Sequence, residues 1–133
     1  MQALEEKLYS VLSGDATLAS YADGGVWRDF APQDTAGTVV IFSLTSAPDS
    51  YTLASRAFTE FTYTIKAVSP SRSAATAHSA AARVDALLND AALTLSEGSA
   101  MACRRTQAIS MQEPDKGETW QHVGGLYLIY AQE

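Results

Sequence analysis

Cys103 followed by Arg104 and Arg105 is the stretch of this 133-residue chain best suited to nucleophilic chemistry, because nearby cations lower a thiol pKa and favour the thiolate. Strand alternation argues against that use. Cys103 shares a face with Met101, Ile109 and Met111, which predicts a buried, inert thiol. The two arginines point to opposite faces, so each is expected in a salt bridge, with a contact between subunits as the more informative variant. Neither histidine has a signature tying it to a nucleophile. His78 reads as a surface or packing residue of an Ala-rich helix, and His122 as a half-exposed strand residue or a partner contact. Asp23, Asp29 and Asp34 are close enough in sequence for acid–base pairing, but each sits in or beside a turn, where Asp caps backbone groups. Glu113, Asp115 and Glu118 lack calcium-loop spacing. Gly24-Gly25 and Gly124-Gly125 are isolated pairs and not a phosphate loop; the second, inside a strand, marks a bulge or the close approach of another backbone. One cysteine excludes an intramolecular disulfide framework and a cysteine-rich zinc site. No catalytic residue, cofactor or metal is expected.

Composition narrows the classes further. Of 62 apolar residues 23 are Ala, which leaves 39 with large side chains. A core that thin suggests burial against a second chain. Nine basic against fifteen acidic residues give a net charge of −6, the wrong sign for a nucleic-acid footprint. No apolar run approaches the roughly 20 residues that span a bilayer, and Met1-Gln2-Ala3-Leu4-Glu5-Glu6 lacks the basic flank and apolar stretch of a signal peptide. The chain is expected to be made and used in the cytoplasm.

The pattern predicts one α+β domain over residues 1–133, with an antiparallel or mixed sheet of about four main strands, an N-terminal helix and one long Ala-rich helix. Leu4, Leu8, Val11 and Leu12 fall on one helical face. Gly14 is placed to end that helix as a left-handed cap, and Asp15 to cap a short second turn. Val26 to Phe30 reads as a short strand and Thr38 to Thr45 as a stronger one. A polar loop runs from Ser46 to about Arg56. Phe61, Tyr63, Ile65 and Ala67 alternate with Glu60, Thr62, Thr64 and Lys66, the pattern of a strand with one wet face. Ser69-Pro70 suits a helix start, and that helix runs to about Asn89. Ala100 to Gln112 and Thr119 to Ala131 close the domain as a hairpin joined by Glu113 to Glu118. Val123, Tyr127 and Ile129 alternate with Leu126, Leu128 and Tyr130, so both faces of the last strand ask for cover.

Several local stretches line up with these elements. They are Leu8-Tyr9-Ser10-Val11-Leu12-Ser13-Gly14-Asp15-Ala16-Thr17-Leu18, then Gly25-Val26-Trp27-Arg28-Asp29-Phe30-Ala31-Pro32-Gln33, the strand from Val39 to Leu44, Asp85-Ala86-Leu87-Leu88-Asn89-Asp90, and Asp115-Lys116-Gly117-Glu118-Thr119-Trp120-Gln121-His122-Val123-Gly124-Gly125-Leu126-Tyr127. In this order they resemble the small tail-completion, or tail-terminator, proteins of long-tailed, siphovirus-like bacteriophages and gene transfer agents. The resemblance covers nearly the whole chain and rests on element order and patches, not on one diagnostic motif.

The resemblance implies a virion protein with no catalytic residues, assembled in the bacterial host cytoplasm. It implies a ring, usually hexameric, at the head-proximal end of the tail tube, which stops tube polymerisation and joins the tail to the head connector or stopper. The expected partners are further copies of the chain, the tail tube protein and the connector, with the tape measure protein as an additional candidate. DNA would pass through the lumen without specific binding, since acidic walls repel it. No membrane partner is expected. The candidate subunit interface comprises Ala74, Ala77, Ala81, Arg104, Arg105, His122, Leu126, Leu128 and Tyr130. The candidate axial loops carry Asp49, Ser50 and Tyr51, and Asp115, Lys116 and Glu118. The alternatives are a head-side connector or stopper subunit and, from another class, a small α+β ligand-binding or enzymatic domain.

Overall fold

The structure, a computed structural model, describes residues 2–32, 35–71, 74–115 and 117–132. Its elements are helix α1 (Gln2–Ser13), helix α2 (Ala16–Tyr21), strands β1 (Val26–Arg28), β2 (Val39–Ser46), β3 (Asp49–Tyr51) and β4 (Arg56–Ser69), helix α3 (Ala75–Leu88), and strands β5 (Ser99–Asp115) and β6 (Glu118–Gln132). The α+β reading holds, but the sheet has six strands in the order β1-β2-β4-β6-β5, with β3 added to β4. It is mixed, because β1 runs parallel to β2 while the other pairs are antiparallel.

One face of the sheet carries the helices. Leu4, Leu8 and Leu12 of α1, Leu18 of α2, and Ala77, Ala80, Val84 and Leu88 of α3 are buried over Val40, Phe42, Phe61, Tyr63, Ile65, Tyr127 and Ile129. Each fully buried leucine of α1 is worth roughly 2 kcal/mol. Tyr63 and Tyr127 lie side by side across the β4–β6 ladder. Tyr63 donates its hydroxyl to Glu5 of α1 at 3.0 Å, and Tyr127 donates to Asp85 of α3 at 3.1 Å. Helices α1 and α3 are thus each tied to the sheet by a buried tyrosine.

Local signals decided some boundaries and lost others. Asp15 caps α2 through a 2.8 Å bond from the Leu18 N–H. Gly14 ends α1 without entering the left-handed region. Ser69-Pro70 does not start α3: Ser69 stays in β4, paired with Gln121 and bonded by the Thr38 hydroxyl at 3.1 Å, so sheet pairing outweighs the local helix signal. The chain between Ser46 and Arg56 is not plain loop, since β3 pairs Asp49 with Thr59 and Ser50 with Phe58.

Asp15 also receives a two-pronged contact from Arg83 of α3, with both bonds at 2.8 Å. Arg83 first, and then the Leu18 N–H, hold its carboxyl at about 2, below the ordinary 3.8. A depressed carboxyl stabilises the fold fully above its unfolded pKa and loses that contribution as pH falls toward its folded pKa. Melting temperature is therefore expected to drop between pH 4 and pH 2 (the interval between those two pKa values), and Asp15→Asn is expected to flatten that part of the profile while lowering stability at pH 7. A wild-type acid profile that overlays the variant's would contradict the assignment.

Candidate functional site

The reactive-thiol possibility ends in the core. Cys103 is 1% exposed, and burial first, then Asp90, pushes its pKa up to about 12. Its neighbours differ from the expected ones. The β5–β6 register slips between Arg105 and Gln107, leaving Thr106 as an extra residue. Beyond that bulge the faces exchange, so Ile109 and Met111, opposite Gly124 and His122, lie on the face away from Cys103. Arg104 and Arg105 do point to opposite faces; Arg104 pairs with Asp90 at 3.3 Å and Arg105 with Asp85 at 3.6 Å. No group of three or more metal-binding side chains occurs among the described residues.

What the sheet offers is a second, helix-free face. There Leu126, Leu128 and Tyr130 are only half-buried, whereas Val123, Tyr127 and Ile129 on the helix side are buried. Phe58 packs edge-on against Tyr130, with ring centroids 5.6 Å apart. Thr62, Thr64 and Lys66 of β4 flank the row on one side, Arg104, Gln107, Ile109 and Met111 of β5 on the other. His122 continues the row. It is buried, at 9% exposed, and not half-exposed as its strand position suggested, because Lys66 and Glu113 flank it; neither ring nitrogen has a hydrogen-bond partner among the described residues, and its Nε2 lies 3.7 Å from Glu113. Burial first, and then Lys66, lower its pKa against the opposing pull of Glu113, a net shift that favours the neutral ring. Of the three alanines singled out, Ala77 of α3 is fully buried within the chain, while Ala81 of α3 and Ala74, just before it, are half-exposed.

The two loops singled out lie at opposite ends of the sheet. Asp49, Ser50 and Tyr51 form β3, whose hairpin with β4 sits where β4 begins, beside Ala131. At its tip Tyr51 is 70% exposed and Leu53 fully so. The β5–β6 hairpin turns at the other end, three residue pairs beyond the last β4–β6 pair, Ser69 with Gln121. Asp115 pairs with Glu118, so strand replaces most of the expected 113–118 loop; Lys116 falls outside the described residues.

Sequence reasoning missed the edge at β1. Tyr9, Trp27, Arg28 and Phe42 line a groove of about 480 Å³ between α1 and β1, with Glu5 and Glu6 beside it. Just past β1, Phe30 is 76% exposed. The signal was present in the spacing of Tyr9 on the polar side of α1 and in Trp27 and Phe30, in and just after a strand too short to bury both.

Comparison with known proteins places this arrangement. The family model described as tail completion protein gp17 matches residues 6–123. A chain solved within the virion of a native gene transfer agent particle superposes with a TM-score of 0.79 at 24% identity, covering 98% of this chain and 96% of that one. A second solved chain gives a TM-score of 0.60 at 13% identity, with 99% and 92% covered. No curated protein was found to match the sequence.

Proposed function

Because the chain belongs to the tail completion protein gp17 family, and is on that account a structural component of the virion tail, we propose that it acts as a single tail-terminator domain over residues 1–133. Copies of it assemble as a ring, most simply a hexamer, on the head-proximal end of the tail tube. The ring ends tube polymerisation and presents a docking surface to the head connector. The observation that carries this reading is the placement of the two protruding hairpins at opposite ends of one sheet. A joint needs two faces, and Asp49, Ser50, Tyr51 and the 115–118 turn supply one each. The tube protein, the connector and the tape measure protein are the proposed axial partners.

The half-exposed row Leu126, Leu128 and Tyr130, with His122 at its end, gives the ring lateral surface to bury, joined by Ala74, Ala81, Arg104 and Arg105. At −6 per chain, six copies sum to about −36, a field that keeps passing DNA from adhering. Mass measurement of the purified protein with and without tube protein, combined with negative-stain imaging, tests the reading. A six-fold ring is expected. A compact monomer under both conditions would contradict it. Leu128→Glu is expected to shift any ring toward monomer, since a carboxylate buried without a partner is costly, while leaving the helix-side core and far-UV circular dichroism unchanged.

A further inference from the structure

The strand order leaves β5 as a sheet edge seventeen residues long. Part of that edge is covered. The Arg105 N–H turns away from β6 and donates to Asn89 Oδ1 at 2.9 Å, and the Cys103 carbonyl accepts from the Asp90 N–H at 2.8 Å. Successive residues of an antiparallel strand alternate between facing the partner and facing out. With Thr106 as the extra residue, Gln107 lies opposite Leu126, and the outward-facing residues beyond the bulge are Ala108, Ser110 and Gln112. No backbone bond from another described element reaches them.

Chains guard open edges with charge, proline, bulges or a covering loop. Here the guards stand on either side: the 89–90 turn, Arg104, Arg105 and the bulge before, Glu113 and Pro114 after. Gln107-Ala108-Ile109-Ser110-Met111-Gln112 between them has no charge, proline or glycine. Beside this stretch, under α3, lies a groove of about 280 Å³ lined by small side chains, Ala81, Ala82, Ala108 and Ser110, together with His78 and Arg105. A strand added to an edge places alternate side chains on one face, which here is the groove.

The opposite edge of the same sheet carries a fitting counterpart. Phe30 follows β1 and is 76% exposed. The Asp29 side chain beside it is 46% exposed, and Arg105 at the groove is 41% exposed. Their present partners, Arg28 and Asp85, leave room for both to share a further contact. A contact between two different edges of one chain is heterologous, and such contacts give a ring when the rotation between copies closes and an open filament when it does not.

Building on the ring reading, we propose that the uncharged 107–112 edge of β5 in one copy is covered by the β1 end of the next copy, with Phe30 seated in the groove under α3 and Asp29 facing Arg105. The sheets of neighbouring copies then meet edge to edge around the ring.

Ser110→Pro tests this in the full-length chain, because it removes an outward N–H that β6 does not use and edge strands tolerate proline there. Native mass spectrometry should show the ring for wild type and at least about tenfold weaker association for the variant, with unchanged circular dichroism. A second variant combining Phe30→Cys with Ser110→Cys, mildly oxidised, should give a covalent ladder that neither single variant gives; it decides the matter if the proline variant fails to fold. A wild-type ring that persists in Ser110→Pro, with no ladder, overturns the edge contact and leaves the ring standing. A wild-type monomer even with tube protein present, and no ladder, overturns the ring and the edge contact together.

Discussion

Gly124→Ala is expected to destabilise the fold by about 3 kcal/mol or more, the upper range for forcing atoms into a packed interior. Gly124 lies opposite Lys66 in the β4–β6 ladder. A Cβ there would press into the Ile65 carbonyl oxygen and stand 2.5 Å from Lys66 Cα and 2.8 Å from its Cβ. The obstacles are mostly backbone, so no rotamer change relieves them and the two central strands must separate. Gly117 is the control. Its φ of 83° favours glycine, yet among the described residues nothing lies within 4 Å of a Cβ at that turn, so Gly117→Ala should cost only about 1 kcal/mol of conformational strain. Urea unfolding of both variants separates the two causes. Equal losses would show that the β4–β6 approach is looser than described.

Tyr63→Ala is expected to cost about 4 kcal/mol, in the range for removing a large buried side chain and leaving a cavity. Tyr63 is 0% exposed, its ring lies 6.4 Å from those of both Phe42 and Phe61, and its hydroxyl holds Glu5. Tyr63→Phe keeps the ring and removes only the bond to the carboxylate, for about 2 kcal/mol. Part of that bond's effect passes through Arg28, which holds the same carboxylate at 2.8 Å. Glu5→Gln combined with Tyr63→Phe should therefore cost less than the sum of the single losses. Strict additivity in denaturant unfolding would contradict a shared network of Tyr63, Glu5 and Arg28.

Much of this fold was legible in the sequence where the controlling interaction is local. The leucine stripe of α1, the Asp15 cap and the alternation of β4 needed only spacing and side-chain chemistry. Where partners are distant, the reading slipped. Ser69-Pro70 carries a helix signal, but the pairing of Ser69 with Gln121 keeps it in the sheet. The faces assigned to Ile109 and Met111 were inverted by one extra residue at Thr106, which leaves no mark in composition. The parallel β1–β2 pair joins residues fourteen apart, Val26 with Val40, and three-residue strands show too little periodicity to announce it. Gly124-Gly125 was legible as a close approach, and Ile65 and Lys66 are the backbone that approaches.

The thin complement of large apolar residues is now accounted for in space. The helix side of the sheet is filled, while the opposite face keeps Leu126, Leu128 and Tyr130 half-covered and the β1 end keeps Phe30 exposed. Those are the surfaces an assembly would bury. The apolar pattern that looked sparse for one domain is divided between an interior and contacts that the single chain leaves open.

The most direct test of the terminator reading is the distribution of tail lengths in particles produced without this protein, measured by electron microscopy. Overlong tails, restored to uniform length when the gene is supplied in trans, are the predicted result. Tails of normal length that merely fail to join heads would contradict the terminating role and assign the chain to the head side of the junction.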